Sequence, residues 1–149
     1  MKLLPTKRFS ILSALTPIMA VSLSVSGLSM AEDHEESPLA QSMDQTSDAL
    51  KLLRKIDKDD WAAGAAAARE AAAGIAKGML HLPALVVAMP EGKEKSLAAA
   101  DYRKVMGEAY IAICELELGY LEEDQEKIDA AVAKIKATKK EGHKKYEDE

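Results

Sequence analysis

The chain has 149 residues and a single cysteine, Cys114, so no intramolecular disulfide can form and no cluster of thiolates can hold a metal. Aromatic residues are scarce, at 4%, and alanine is abundant, a balance that suits closely packed helices and argues against sheet. No catalytic triad, phosphate-binding loop or paired-carboxylate site can be read from the residues, so an enzyme is not expected. No repeat of solenoid period is present, and no segment is low-complexity beyond the alanine tract. The formal net charge of −5 excludes nucleic-acid or anionic-lipid binding through overall charge. With 48% hydrophobic residues, the length fits one domain with a single core.

The one long apolar run lies at the start. Lys2, Lys7 and Arg8 precede an apolar stretch over residues 9–25, and Ser29-Met30-Ala31 supplies the small residues that a signal peptidase requires. Pro17 and several serines interrupt the run, and polar sequence follows at once, which points to a cleaved signal over 1–31 and not to a retained membrane anchor. Export to the periplasm is therefore expected. Loss of three basic residues and no acidic ones takes the net charge to −8. Residues 32–37 read as a mobile lead-in. His34 lies among its acidic residues and is read as part of a solvated charge run.

Residues 38–149 carry the fold. Pro38 suits the first position of a helix, and Leu39, Met43, Thr46, Leu50 and Leu53 recur at helical spacing until about Ile56. Asp60 is placed to cap a second helix from Trp61 to about Leu82, with Ala65, Ala68, Ala72, Ile75 and Met79 inward; Trp61 anchors its start and His81 stands at its end. Pro90-Glu91-Gly92 signals a turn in the connection 83–95, whose apolar Leu85-Val86-Val87 is expected to fold back. Ser96 is the expected cap of a third helix with Tyr102, Val105, Met106, Ala109, Ile113, Leu116 and Tyr120 along one side, and Cys114 beside that stripe. Asp124 caps the fourth, which carries Ile128, Val132, Ile135, Thr138, Gly142 and Tyr146. Four helices of similar length with short links predict an all-α, antiparallel up-down-up-down four-helix bundle.

In such a bundle the start of the first helix and the end of the last share one end, which puts Met43 and His143 at similar depth, both on or beside the inward stripe. Few aliphatic residues are available there, and a mid-helix glycine beside His143 costs about 1 kcal/mol against alanine, so space is expected at that end. The residues alone leave two readings open. A methionine on an apolar stripe is ordinarily core filler, and a lone histidine near a helix end ordinarily favours the helix dipole.

A resemblance bears on the choice. Met43, followed seven and eight residues later by Leu50-Lys51, resembles the opening helix of the soluble cytochrome b562 family. Asp101-Tyr102-Arg103 is similar to that family's Asp-Phe-Arg, and Ile135-Lys136-Ala137-Thr138 with His143-Lys144-Lys145-Tyr146 resembles its closing segment. The order is kept across nearly the whole chain after residue 31, with a short insertion over 83–95. The resemblance implies that Met43 and His143 are the two axial ligands of a haem b iron. It implies further that Tyr102 packs on the haem, that Met106 replaces a second packing phenylalanine, and that Lys139 stands beside the haem edge. The run Lys139-Lys140-Glu141-Gly142-His143 has no Cys-x-x-Cys-His, so the haem would be held non-covalently. The implied activity is one-electron transfer by a monomer to an unidentified redox partner, with a basic surface suited to the charge of −8, and no stable membrane association after cleavage. The alternative is a cofactor-free periplasmic helical bundle that acts as a binding or chaperone-like module.

Overall fold

A computed structural model of the protein describes residues 36–146. The expected export signal over 1–31, the start of the lead-in with His34, and residues 147–149 lie outside the described residues. The described chain is all-helical, and among the described residues there is no strand. Five helices follow in order: α1 (Pro38–Leu52), α2 (Trp61–Gly78), α3 (Ala84–Val87), α4 (Lys93–Leu121) and α5 (Gln125–Tyr146). None of them is long and apolar enough to cross a membrane.

The helix starts follow from capping. The Ser37 hydroxyl accepts from the Ala40 amide at 3.1 Å, with Pro38 in the first turn, where a missing amide hydrogen is no loss. Asp60 accepts from Ala63 N at 3.0 Å, and Asp124 from Lys127 N at 3.1 Å, as their positions predict. The third expected cap is displaced. α4 begins a turn earlier than Ser96, after Gly92, whose φ of 152° lies in a region that glycine alone enters without strain; the Ser96 hydroxyl instead donates back to Gly92 O at 3.0 Å.

The expected ends also shift. α2 stops at Gly78 and not at Leu82, because Pro83 disfavours a helical backbone at Leu82 and the last turn unwinds through His81 N to Gly78 O. α1 stops at Leu52, short of Ile56. The helices are not of similar length, since α1 has 15 residues and α4 has 29, and the connection 83–95 forms a helix of its own. In that helix Val86 is buried while Leu85 and Val87 are exposed, so of the apolar patch only the middle residue folds inward, and α3 packs on α4.

Packing joins α1 to α2, α2 to α4 and α4 to α5. Each pair is antiparallel. Thr46 lies by Ala71 while Met43 lies by Gly78; Arg69 pairs with Glu117 while Tyr102 reaches Gly78; Lys134 pairs with Glu115 while Lys145 pairs with Asp101. α2 is central because it is small. Ala65, Ala67, Ala68, Ala71 and Ala72 are buried, and a Cβ added at Gly64 would overlap the ring of Tyr120, while one at Gly74 would meet Thr46 Oγ1 and lie 3.0 Å from the α1 backbone. Thr46 and Ser42 are buried but satisfied: Ser42 donates to Pro38 O at 2.7 Å and Thr46 to Ser42 O at 2.9 Å. Ile113 and Leu116 of α4 are the largest fully buried side chains.

Close approach at Gly74 should outweigh helix propensity. Gly74→Ala is expected to destabilise by about 1–3 kcal/mol through overpacking, despite alanine's advantage of about 1 kcal/mol in a helix. Gly142→Ala, whose Cβ would stand 3.5 Å from Val105 Cγ1 in ordinary contact, should stabilise by about 0.5–1 kcal/mol. Urea denaturation of the two variants checks both signs.

Candidate functional site

The end of the molecule where α1 begins and α5 finishes is built on two tyrosines. Tyr102 of α4 is buried, with its hydroxyl 3.4 Å from Gly78 O on α2 and its ring edge-on to Tyr146 of α5, at a centroid distance of 5.2 Å. The Tyr146 hydroxyl donates to Asp101 Oδ2 at 2.6 Å, and Lys145 Nζ reaches the same oxygen at 3.2 Å and Glu141 at 2.8 Å. The hydrogen bond from Tyr146, then that from Lys145, holds the Asp101 carboxyl below the usual carboxylate range. Burial pushes the Tyr102 hydroxyl up to about 12, and burial together with the Asp101 carboxylate pushes Tyr146 up to about 12.

Met43 is half-buried and packs against this cluster, and Met106 is buried within it. Gly78 brings the two together. A Cβ there would lie 2.5 Å from Met43 Cε and 3.1 Å from Met106 Cε, so both methyl groups occupy the space that a side chain at 78 would take. The sequence expectation of a thinly filled end is therefore corrected: Tyr102, Tyr146, Met106, Met43, Met79 and Leu39 fill it. Long flexible methionine side chains fill irregular gaps that a count of aliphatic residues does not register.

His143 and Lys139 are both exposed, which corrects the expectation that His143 falls on or beside the inward stripe of the last helix. Gly142 faces Val105 of α4, and His143 lies about 100° further round α5, on the flank turned away from α4 and from the Lys145–Asp101 pair. Lys139 precedes it by about one turn on that flank. The levels can be matched through the core: Met43 stands beside Gly78, Gly78 beside Tyr102 and Met106, and Tyr102 beside Tyr146, one turn beyond His143. Met43 and His143 thus share one end and one level. They do not share an environment, since the methionine's methyl group points into the core while the imidazole is at the surface. His143 lies with Lys144 and Lys145 in the last turn of α5, where positive charge suits the helix dipole.

The structure thus gathers Met43, Tyr102 and Met106, and sets His143 and Lys139 on the adjoining flank of α5. Two participants were not foreseen. Gly78 was legible only as an interruption of an alanine-rich helix, and the Tyr146–Asp101 hydrogen bond joins residues 45 apart, for which no local pattern exists. Among the described residues no group of three or more His, Cys, Asp or Glu side chains gathers in a way that could hold a metal ion. A thioether and an imidazole are nevertheless a donor set suited to haem iron, which needs only two axial groups. Two surface hollows, one lined by Ser42, Gln45, Lys77 and His81 and the other by Gln45, Ala49, Leu52 and Ala67, lie on the α1–α2 side, and no residue of α5 lines either. Trp61 meets Tyr120 at 6.4 Å at the other end of α2, and Cys114 is half-buried beside the core.

Comparison of the chain with protein-family models, with curated proteins and with solved structures finds no match in any of the three.

Both tyrosines favour their neutral forms in the folded state, so the stability they contribute is fully present below about pH 10, the ordinary tyrosine value, and is lost as the pH rises toward about 12. Urea unfolding followed between pH 9 and 12 should show that decline, and Tyr102→Phe should flatten it; an equally steep decline in the variant would remove Tyr102 as its source.

Proposed function

We propose that the protein is an exported b-type cytochrome, in which α1, α2, α4 and α5 form an antiparallel up-down-up-down four-helix bundle that binds one haem b non-covalently through Met43 and His143. The observation that carries this reading is the position of the two donors: they stand at the same level, one on each of the first and last helices, and Met43 packs with Met106 at Gly78, beside Tyr102. Haem held by Met43 and His143 would supply one-electron redox chemistry.

The protein's own residues would bind, orient and shield the group. Met43 has the rotamer freedom to turn its sulfur outward from the Gly78 notch. His143 stands exposed at the same end, on α5. Tyr102, held between Gly78 and Tyr146, and Met106 would exclude water from the inner side. Lys139, about one turn from His143, supplies a positive charge suited to a carboxylate at the edge of the macrocycle. Electron transfer and not catalysis would be the activity of a haem held in this way. A net charge of −8 after removal of residues 1–31 suits a basic redox partner bound transiently, and more weakly as salt rises.

A second reading has its own support. Met43's methyl group is packed in the core and His143 is exposed, which also suits a cofactor-free periplasmic bundle that binds other proteins. Expression with haem followed by absorption spectroscopy decides between them. The first reading expects sharp low-spin bands on reduction, conversion to a high-spin spectrum in Met43→Ala, and loss of low-spin haem in His143→Ala. A protein that takes up no low-spin haem belongs to the second.

A further inference from the structure

α4 is apolar on two opposite faces. Its inner face carries Tyr102, Val105, Met106, Ile113 and Leu116, all buried against α2 and α5. Its outer face carries a second stripe, Lys104, Gly107, Ile111, Leu118 and Leu121, with the half-buried Cys114, which also packs on the core, at its edge, and with spacings that alternate between three and four residues. That alternation is the seam of a two-stranded coiled coil. Ile111 is 59% exposed, Leu118 54% and Leu121 58%, and a Cβ on Gly107 would find nothing within 4 Å. A helix with core-like residues on its outer side normally has a partner there.

We propose that this face binds a second copy of the chain, α4 against α4 in antiparallel orientation, as a two-fold symmetric dimer. Charge selects both the partner and the direction. Arg103 and Lys104 stand near one end of the stripe, and Glu122 and Glu123 follow its other end, all four exposed, with Lys104 beside Glu108 at 3.4 Å and Glu122 paired with Lys127. Parallel pairing would set each group against its own copy, whereas antiparallel pairing sets the basic end against the acidic end twice. Size selects the register. With Lys104 of one copy level with Leu121 of the other, Leu118 enters the notch at Gly107 and Ile111 meets the smaller Cys114, so that large residues face small ones in every inner layer. In the same register Arg103 faces Glu122. A symmetric contact of this kind is isologous, so it closes at two copies and does not propagate. His143, on the α5 flank turned away from α4, remains uncovered, so the dimer is independent of the haem reading.

From Lys104 to Leu121 the seam spans about five turns, a small interface, which implies a weak, concentration-dependent dimer. Light scattering and sedimentation of the purified protein should show a mass rising from one chain toward two between about 1 and 100 µM. Ile111→Glu and Leu118→Glu, both at exposed positions, should keep the circular dichroism of the parent and raise the dissociation midpoint at least about tenfold. Arg103→Glu with Lys104→Glu should also weaken the dimer, and adding Glu122→Lys with Glu123→Lys should restore it. A single-chain mass across the whole concentration range would overturn the proposal and leave the face to a different protein. A dimer indifferent to Ile111→Glu, or charge variants that are not rescued, would overturn it as well.

Discussion

The close approach of α2 to its neighbours is the constraint on which the rest of the structure depends. Glycines at 64, 74 and 78 stand where a Cβ would strike Tyr120, Thr46 or Met43, and the buried alanines between them present almost no side chain to hold the helices apart. Dispersion contacts fall off steeply with separation, so a core with few large residues must gain its cohesion from backbone proximity. The arrangement explains how a chain with 4% aromatic content still closes a core. Bulk is supplied by α4, with Ile113 and Leu116 fully buried and Tyr102 and Met106 nearly so.

The same economy shapes the end at which Met43 and His143 stand. Gly78 accommodates two methionine methyl groups and places its carbonyl near the Tyr102 hydroxyl, so one small residue sets the positions of three candidate participants. Tyr146 adds an aromatic edge and ties α5 to α4 through Asp101. Rigid tyrosines with neutral hydroxyls form the inner wall, while the flexible methionines are the parts able to move.

Much of the helical plan was legible because it is local. Caps at Asp60 and Asp124 and the inward stripes through Met43, Tyr102, Met106 and Ile128 follow from side-chain chemistry and the 3.6-residue period, which act within a few residues of chain. Errors fell where a backbone property or a long-range contact decided. α4 starts early because Gly92 can adopt a φ of 152°, and α2 ends early because of Pro83. The end near His143 is full because residues from α1, α2, α4 and α5 converge on it. His143 itself sits one position beyond the inward-facing Gly142, and a turn of about 100° is enough to move a side chain from the core to the surface.

By itself, then, the sequence determined that the chain is helical, where most helices begin, and which stripe of each is apolar, since propensity, capping and periodicity are properties of neighbouring residues. Tertiary structure alone decided that Gly78 joins Met43 to Met106, and that His143 lies at the surface at Met43's level. Those outcomes depend on side chains far apart in the chain competing for the same space, and no window of local sequence contains both competitors.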